Sequence, residues 1–483
     1  MFEYAQAAVE GALAAGATYA DARFGVNTSE GLHARNGVLD GLRRSESGGV
    51  GVRALIGSSW GFMAVAEPSE ASARTAGFDA AAIAKASALV PGPPLHLAAS
   101  TPVEAQWSSG WEEHPFEVSL AERADLVIAA TSTMAAVKGV TVGEAYLSSW
   151  DTQKWFVSSE GHRIFQHLVE TGATMSATAV GEHETQRRSY GGVGGAYGTR
   201  GFELVRALDL VGNAGRVAEE AVALLSAPEC PAATTDLVLG SEQLALQIHE
   251  SVGHAIELDR ILGWEAAFAG TSFLELGRLG TLRYGSELMN ITADATLAGA
   301  LGTFGYDDEG TPAQRVDIVR DGIWVGVLSG RDTASICGVA PGGMVRAEGW
   351  DRLPMVRMTN VGILPGSSSL EEMIAATDDG VFMETNRSWS IDDKRLNFQF
   401  GCEVGYEIKG GRRGRLLRNP TYTGITPQFW ASLDMLGGPA EWNLWGTPNC
   451  GKGQPMQYGH TGHPAVPARF RGARVGVRSR AGA

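Results

Sequence analysis

The sequence has few cysteines and no long apolar run. The four cysteines in 483 residues are too few and too scattered for a disulfide framework; they are Cys230, Cys337, Cys402 and Cys450. No apolar stretch approaches the roughly 20 residues of a membrane-spanning helix, and the N-terminus shows no signal peptide. We therefore expect a cytoplasmic protein without a membrane partner, whose cysteines are free for packing, metal binding or catalysis.

Basic residues are also fewer than acidic ones. The chain has 39 lysines and arginines against 54 acidic residues, and its formal net charge is −15 at pH 7. Such a surface repels the phosphate backbone of nucleic acids and anionic membranes. A nucleic-acid partner is therefore not expected.

Glycine, in contrast, is abundant, and 64 glycines favour tight turns and β-structure over a helical bundle. The length indicates two or three domains, and a stretch containing proline and alanine follows a predicted helix at 204–225. We predict an α+β fold of two domains. Residues 1–227 form an α+β domain with a mostly antiparallel sheet, and residues 228–483 form a β-rich domain that carries the candidate metal-site helix.

Local signals place the main elements. Asn-Gly and Asp-Gly pairs at 36–37 and 321–322 lie between extended runs and predict tight hairpins. Ser119 and Glu122 have the spacing of a capping box before a helix. Further helices are predicted at 241–262 and 427–436.

The predicted helix 241–262 contains the most informative motif. Its apolar residues recur every four positions and form one buried stripe; they are Leu244, Ile248, Val252 and Ile256. His249, Glu250 and His254 lie off this stripe in a His-Glu-x-x-x-His arrangement. A metal site competes here with two plainer interpretations, a surface helix and a histidine that only packs in the core.

The spacing of the two histidines makes a structural prediction. Residues five apart on a regular α-helix are about 140° apart around its axis, so they cannot share one ion. One π-type turn would align His249 with His254, and such turns favour functional sites. We therefore predict an irregular helix between Glu250 and Ala255, with the distortion near Gly253.

A catalytic zinc site needs a third protein ligand and an open position for water. Glu250, next to a ligand, is then the candidate general base. The candidates for the third ligand are the four cysteines, Glu257, His460 and His463. Separately, the acidic turn 307–310 is typical of a solvated loop, with a role facing the substrate or binding an ion as the alternative.

Blocks along nearly the whole chain resemble the TldD/PmbA family, bacterial and archaeal proteins once called gyrase modulators and now regarded as metalloproteases. The blocks include GATYADARF, GVGVRALIGSSWGF, HESVGHAIELD, GYDDEGTPAQRVD, METNRSWSIDD, NPTYTGITPQFW and PNCGKGQPMQYGHTGHPAVPARF. The TldD-type subunit carries His-Glu-x-x-x-His, whereas its PmbA-type (TldE) partner lacks it. The intact motif here therefore resembles the catalytic type.

The resemblance implies one Zn²⁺ per chain, held by His249, His254 and the cysteine of a Cys-Gly-Lys segment. This cysteine maps onto Cys450, and Cys402 stays open as the alternative. With Glu250 as general base, the implied function is zinc-dependent hydrolysis of unfolded or extended peptides.

The resemblance also implies a dimer, either of identical chains or with a PmbA/TldE-type paralogue. Asp308 and Glu309 are candidates to lie near the peptide. The competing hypotheses are a non-catalytic scaffold subunit, a regulator that binds DNA or a topoisomerase, and a metal-dependent hydrolase of a non-peptide amide.

Overall fold

The structure is a computed structural model that describes residues 1–90, 92, 94–192 and 195–476. Its α-helices are α1 (Phe2–Ala14), α2 (Glu70–Ser87), α3 (Leu120–Ala135), α4 (Glu203–Ala207), α5 (Leu210–Leu224), α6 (Ser241–Ile248), α7 (Leu258–Ile261), α8 (Arg331–Cys337), α9 (Leu370–Ala375) and α10 (Thr426–Ala431). No helix in these ranges is both long enough and apolar enough to cross a membrane.

The strands fall on either side of residue 227. The first group is β1 (Tyr19–Arg35), β2 (Val38–Ile56), β3 (Ser59–Ala66), β4 (Glu104–Ser108), β5 (Val140–Ser158), β6 (Arg163–Val180), β7 (Thr185–Tyr190) and β8 (Ala196–Gly198). The second group is β9 (Ala233–Leu239), β10 (Ile291–Asp294), β11 (Arg315–Arg320), β12 (Ile323–Trp324), β13 (Val345–Arg346), β14 (Met355–Val356), β15 (Val361–Ile363), β16 (Asp379–Ile391), β17 (Asn397–Lys409), β18 (Arg412–Leu417), β19 (Thr421–Ile425), β20 (Leu433–Leu436), β21 (Asn443–Lys452), β22 (Gln457–Ala465) and β23 (Ala468–Val475).

The first group forms one eight-stranded sheet with the order β3-β2-β1-β5-β6-β4, and β7 and β8 also pair with β6. All its pairings are antiparallel except β4 with β6. One face packs under α1 and α2 at one end and under α3 and α5 at the other. Because side chains alternate along a strand, the opposite face carries the polar positions of the same strands and faces residues of the C-terminal half.

The second group is built around a seven-stranded sheet with the order β16-β9-β23-β19-β17-β18, and its seventh strand, β20, pairs with β23. Because β16 also pairs with β17, five of these strands close into a ring. A separate two-stranded sheet, β21 with β22, leads directly into β23. The α+β fold with a β-rich C-terminal half is therefore confirmed.

The tight hairpins are confirmed at both predicted sites. Asn36 and Gly37 have φ values of 48° and 81°, and Asp321 and Gly322 have 48° and 76°. Two successive positive φ angles are what a type I′ hairpin turn requires. These turns join β1 to β2 and β11 to β12.

Three predicted helices differ in the structure. The helix at 204–225 is split into α4 and α5, because Asp209 adopts φ 45° and its side chain caps the start of α5. The helix at 427–436 ends at Ala431, and β20 follows it and pairs with β23. The helix at 241–262 ends as an α-helix at Ile248.

Helices α1 and α2 cross so closely that their glycines touch the neighbouring backbone. A Cβ atom added to Gly77 would lie 2.1 Å from the carbonyl oxygen of Ala8. We expect Gly77→Ala to lower the free energy of unfolding by about 1–3 kcal/mol through overpacking. Gly215→Ala in α5, where nothing lies within 4 Å, should instead raise it by about 0.5–1 kcal/mol. Urea unfolding of both variants tests this, and equal effects would contradict the close crossing.

Candidate metal centre

The helix that carries the motif changes its winding at the motif itself. After α6, residues His249–Gly253 form a π-turn, and the backbone N–H of His254 donates to the carbonyl oxygen of His249 at 3.1 Å. The extra residue in this turn rotates the second histidine back toward the first. The predicted irregularity is therefore confirmed.

Close packing explains the glycine at position 253 of this turn. Its φ angle is outside the left-handed region, but an added Cβ would lie only 2.1 Å from the sulfur of Met358. The turn thus packs against the chain at a distance that only glycine allows. The hydroxyl of Tyr284 donates to the carbonyl oxygen of Ser251 at 2.6 Å, so a carbonyl in the distorted turn keeps a partner.

The structure brings three predicted ligands together. One donor atom each of His249, His254 and Cys450 lies within 4.8 Å of the others, and all three residues are buried. The sulfur of Cys450 lies 3.6 Å from Nε2 of His254. Cys450 reaches this position because β21 and β22 form a hairpin beside α6 and return the chain to β23, which pairs with β9.

The ring of His249 is oriented by a chain of hydrogen bonds. Nδ1 of His463 lies 3.0 Å from the carbonyl oxygen of Val361, which only accepts, so this Nδ1 carries the proton. Nε2 of His463 then accepts from Nδ1 of His249 at 2.7 Å. Nε2 of His249 is consequently left with a lone pair, the form that binds a metal ion.

A carboxylate orients His254 in the same way. Oε2 of Glu257 lies 2.9 Å from Nδ1 of His254 and accepts its proton, so Nε2 keeps its lone pair on the side of Cys450. Burial lowers the pKa values of His249 and His254, which favours their neutral, metal-binding forms. A carboxylate behind a histidine is a usual arrangement at metal sites.

Glu257 is itself held by two fully buried cations. The ammonium group of Lys452 lies 3.2 Å from Oε1 of Glu257 and 2.8 Å from Asp259, and Nε of Arg260 donates to Oε2 of Glu257 at 3.2 Å. Burial alone would raise the pKa of Glu257, but Lys452 and the other cations hold it well below the usual range. Glu257 therefore remains a charged acceptor for His254.

The thiol of Cys450 is biased toward its thiolate form. Burial opposes ionisation, yet His254 and Arg357 outweigh it and lower the pKa of this thiol. Arg357 also donates through Nη2 to the backbone oxygen of Cys450. Since the thiolate is the form that binds metals, the electrostatics of the site favour coordination.

Glu250 lies next to His249 and forms an ion pair with Arg395. Nη1 of Arg395 donates to Oε2 of Glu250 at 2.6 Å, and both side chains are mostly buried. Arg395 comes from the turn between β16 and β17, where its φ angle is 61°. The strained backbone aims this guanidinium at the glutamate of the motif.

The acidic turn 307–310 is buried, so its expectation as a solvated loop is wrong. Asp308 pairs with Lys154 and lines a cavity of about 430 Å³. Glu309 does not line this cavity; it pairs with Arg53 at 3.1 Å and accepts from the backbone N–H of Arg331 at 2.6 Å. Burial opposes the ionisation of Asp308, but Lys154 and Arg23 outweigh it and lower its pKa. Burial instead raises the pKa of Asp307 to about 8, and the partners of this carboxyl are backbone N–H groups.

The other candidate ligands lie outside the three-residue group. His463 and Glu257 support the histidines from behind, and His460 pairs with Glu170 at 3.0 Å. Cys402 is buried in β17, where burial raises the pKa of its thiol well above the usual value.

Sequence reasoning gave no role to Arg395 or Lys452. Lys452 stands two residues after Cys450 in one strand, and this spacing places both side chains on the same face. Arg395 left no such signal, because it reaches Glu250 from a turn 145 residues away in the chain.

A second group, His114, Asp151 and His167, also has the donor atoms for a metal ion. Both Nε2 atoms lie near Asp151, at 2.9 and 3.0 Å. The backbone N–H of Phe116 donates to Nδ1 of His114 at 3.4 Å, which leaves the proton on Nε2. We therefore interpret this group as a hydrogen-bonded network around one carboxylate.

Three family models match the chain. The PmbA/TldA metallopeptidase domain 1 matches residues 20–88, the central domain 113–227 and the C-terminal domain 232–476. A protein of Methanothermobacter thermautotrophicus named as a metalloprotease is 30% identical over 463 residues, which is 95% of each chain. A TldD homologue of Haemophilus influenzae, also named as a metalloprotease, is 30% identical over 59% of this chain and 58% of its own.

Solved structures show the same fold. A Thermotoga maritima protein described as a modulator of a DNA gyrase superposes with a TM-score of 0.76 at 18% identity, covering 98% of this chain and 99% of its own. TldE from Thermococcus kodakarensis superposes with a TM-score of 0.73 at 14% identity, covering 98% and 99%.

The contact between Gly253 and Met358 can be tested by a double-mutant cycle. Gly253→Ala should lower the free energy of unfolding by about 1–3 kcal/mol, because the new methyl group meets the Met358 sulfur. Met358→Ala removes that sulfur, so Gly253→Ala should cost clearly less in this background, as measured by urea unfolding. Equal costs in the two backgrounds would show that the turn is not packed as described.

Proposed function

This chain belongs to the PmbA/TldD metallopeptidase family, and from that premise we propose that it is a zinc-dependent peptidase acting on unfolded or extended peptides. The observation that carries the proposal is the meeting of two imidazoles and a thiol at the motif, with Glu250 beside them. The intact motif favours the catalytic subunit type over a scaffold.

The donor set supports zinc as the metal. Two imidazoles and one thiolate are ligands that zinc prefers, and three protein ligands leave one tetrahedral position open. Zinc bonds of about 2.3 Å to sulfur and about 2.0–2.1 Å to nitrogen give a tetrahedral edge of about 3.5 Å. The 3.6 Å between Cys450 and His254 agrees with this edge.

The proposed mechanism assigns one task to each residue. His249, His254 and Cys450 would hold the ion. Polarisation of the scissile carbonyl group and of a water molecule is the chemistry that zinc supplies when bound. Glu250 takes a proton from the water and donates it to the leaving amine. Arg395 engages Oε2 of Glu250, and we assign the proton transfer to Oε1.

The strand that carries Cys450 supports binding of an extended peptide. β21 pairs only with β22 among the described strands, so its other edge has backbone groups that a peptide could pair with. Such pairing uses main-chain hydrogen bonds and tolerates many side chains. We therefore propose that the substrate adds as a strand to β21 beside the metal site.

We further propose that the chain works as a dimer, with itself or with a PmbA/TldE-type paralogue. The likeness of its fold to TldE supports a paired arrangement of two similar subunits. Light scattering of the purified chain, alone and with a co-expressed paralogue, distinguishes the two pairings.

Glu250→Gln should leave zinc bound and reduce peptide cleavage by about 10²–10⁴-fold, because the amide cannot accept the water proton. Cleavage of an unstructured quenched-fluorescence peptide and elemental analysis measure the two properties. Glu287→Gln, at an exposed glutamate outside the site, should change neither. A Glu250→Gln variant that cleaves at the unmodified rate would refute the assignment of the base.

Glu257→Gln should weaken zinc binding by about 10–100-fold, because His254 loses its charged acceptor. Competition with a chelating dye measures the affinity, and Glu287→Gln serves again as the exposed control. Unchanged zinc affinity would show that Glu257 does not orient the ligand.

A further inference from the structure

A cavity of about 430 Å³ lies between the polar face of the eight-stranded sheet and the C-terminal half. Alternate residues of the sheet strands form one wall, among them Arg23 of β1 and Lys154 of β5. Arg346, Arg357 and His460 belong to the opposite wall. The cavity therefore joins the two halves of the chain, and its lining has five lysine and arginine residues against four acidic residues.

Three of these cations lack a charged partner. Arg23, Arg346 and Arg357 have no carboxylate within salt-bridge distance among the residues that the structure describes. They donate instead to backbone carbonyl oxygens, and one nitrogen of each has no acceptor: Arg23 Nη1, Arg346 Nε and Arg357 Nε. Buried charges are normally paired, so the buried Arg23 and Arg357 and the half-buried Arg346 around one cavity need an explanation.

The buried acids of the cavity are already engaged. Asp308 forms an ion pair with Lys154, and Glu170 pairs with His460 at 3.0 Å. Burial and the neighbouring Arg357 lower the pKa of Arg346 to about 10, although Glu170 and Asp308 act in the opposite direction. The cavity thus retains capacity for an anion.

The cavity adjoins the candidate metal centre. Arg357 lines the cavity and donates through Nη2 to the backbone oxygen of Cys450. Gly459, which pairs with Cys450 across the β21–β22 hairpin, also belongs to the lining. The cavity is therefore connected to the metal centre through Arg357 and through residues of β22, so a peptide bound at the metal centre lies close to it.

We propose that this cavity is a specificity subsite that binds a carboxylate group of the peptide, with the guanidinium groups of Arg23, Arg346 and Arg357 compensated by that carboxylate. The proposal rests on the proposed peptidase function and names a substrate class for it, peptides with an acidic group near the scissile bond. The planar fork of a guanidinium matches a carboxylate through two hydrogen bonds.

A peptide carboxylate has two sources, the free C-terminus and an acidic side chain. Four labelled peptides of one neutral, unstructured sequence distinguish them: a C-terminal acid, the corresponding amide, and two amides with either one Glu or one Gln at the same position. Each is titrated by fluorescence anisotropy against the zinc-loaded full chain carrying Glu250→Gln, which holds the peptide without cutting it.

We expect one acidic peptide to bind about tenfold or more tightly than its neutral counterpart, since hydrogen bonds to charged groups are the stronger ones. The pair that shows the difference identifies the source. Binding of both acidic peptides within twofold of their neutral counterparts would overturn the subsite.

A variant connects the preference to the cavity. Lys154→Met leaves Asp308 free to compensate Arg23, so the cavity loses one positive charge and the preference for the acidic peptide should fall several-fold. Lys154→Arg should keep the preference, and Lys138→Met, at an exposed lysine after α3, should leave it unchanged. An equal loss in the Lys154→Met and Lys138→Met variants would place the carboxylate outside this cavity.

Cleavage by the unmodified chain separates this proposal from the peptidase function. Equal cleavage of acidic and neutral peptides, together with equal binding, would refute the subsite and keep the function. Preferential binding of an acidic peptide without cleavage of any peptide would support the subsite and refute the function.

Discussion

The candidate site depends on a single change of helical winding. A regular α-helix would place His249 and His254 on nearly opposite sides, and the π-turn between them brings both imidazoles to one side. The turn is not free to relax, because Gly253 is pressed against Met358 and Tyr284 holds a carbonyl of the turn. The core therefore maintains the geometry that the chemistry needs.

Buried acidic groups around this turn are each paired with cations. Glu257 is balanced by Lys452 and Arg260, Glu250 by Arg395, and the thiol of Cys450 by nearby cations. The pairs of Lys452 with Glu257 and of Arg395 with Glu250 join the motif segment to distant parts of the chain, whereas Arg260 lies only three residues after Glu257. The long-range ion pairs thus hold the motif and the distant segments in position relative to each other. Burying these charges costs desolvation free energy that apolar side chains in their place would not cost.

The sequence predicted the fold class, the two hairpin turns and the irregular helix, because local turn chemistry and residue spacing decide these features. It did not predict the break at Asp209 or the burial of the acidic turn 307–310. The burial of that turn depends on ion pairs with Arg53 and Lys154, which belong to strands far away in the chain. For the same reason the role of Arg395 is visible only in three dimensions.

X-ray absorption spectroscopy of the zinc-loaded chain tests the central claim most directly. The account predicts one sulfur at about 2.3 Å and nitrogen or oxygen ligands at about 2.0–2.1 Å. The sulfur signal should disappear in the Cys450→Ser variant and persist in the Cys402→Ser variant. A zinc environment without sulfur, or one whose sulfur is lost with Cys402, would contradict the convergence of His249, His254 and Cys450 on one ion.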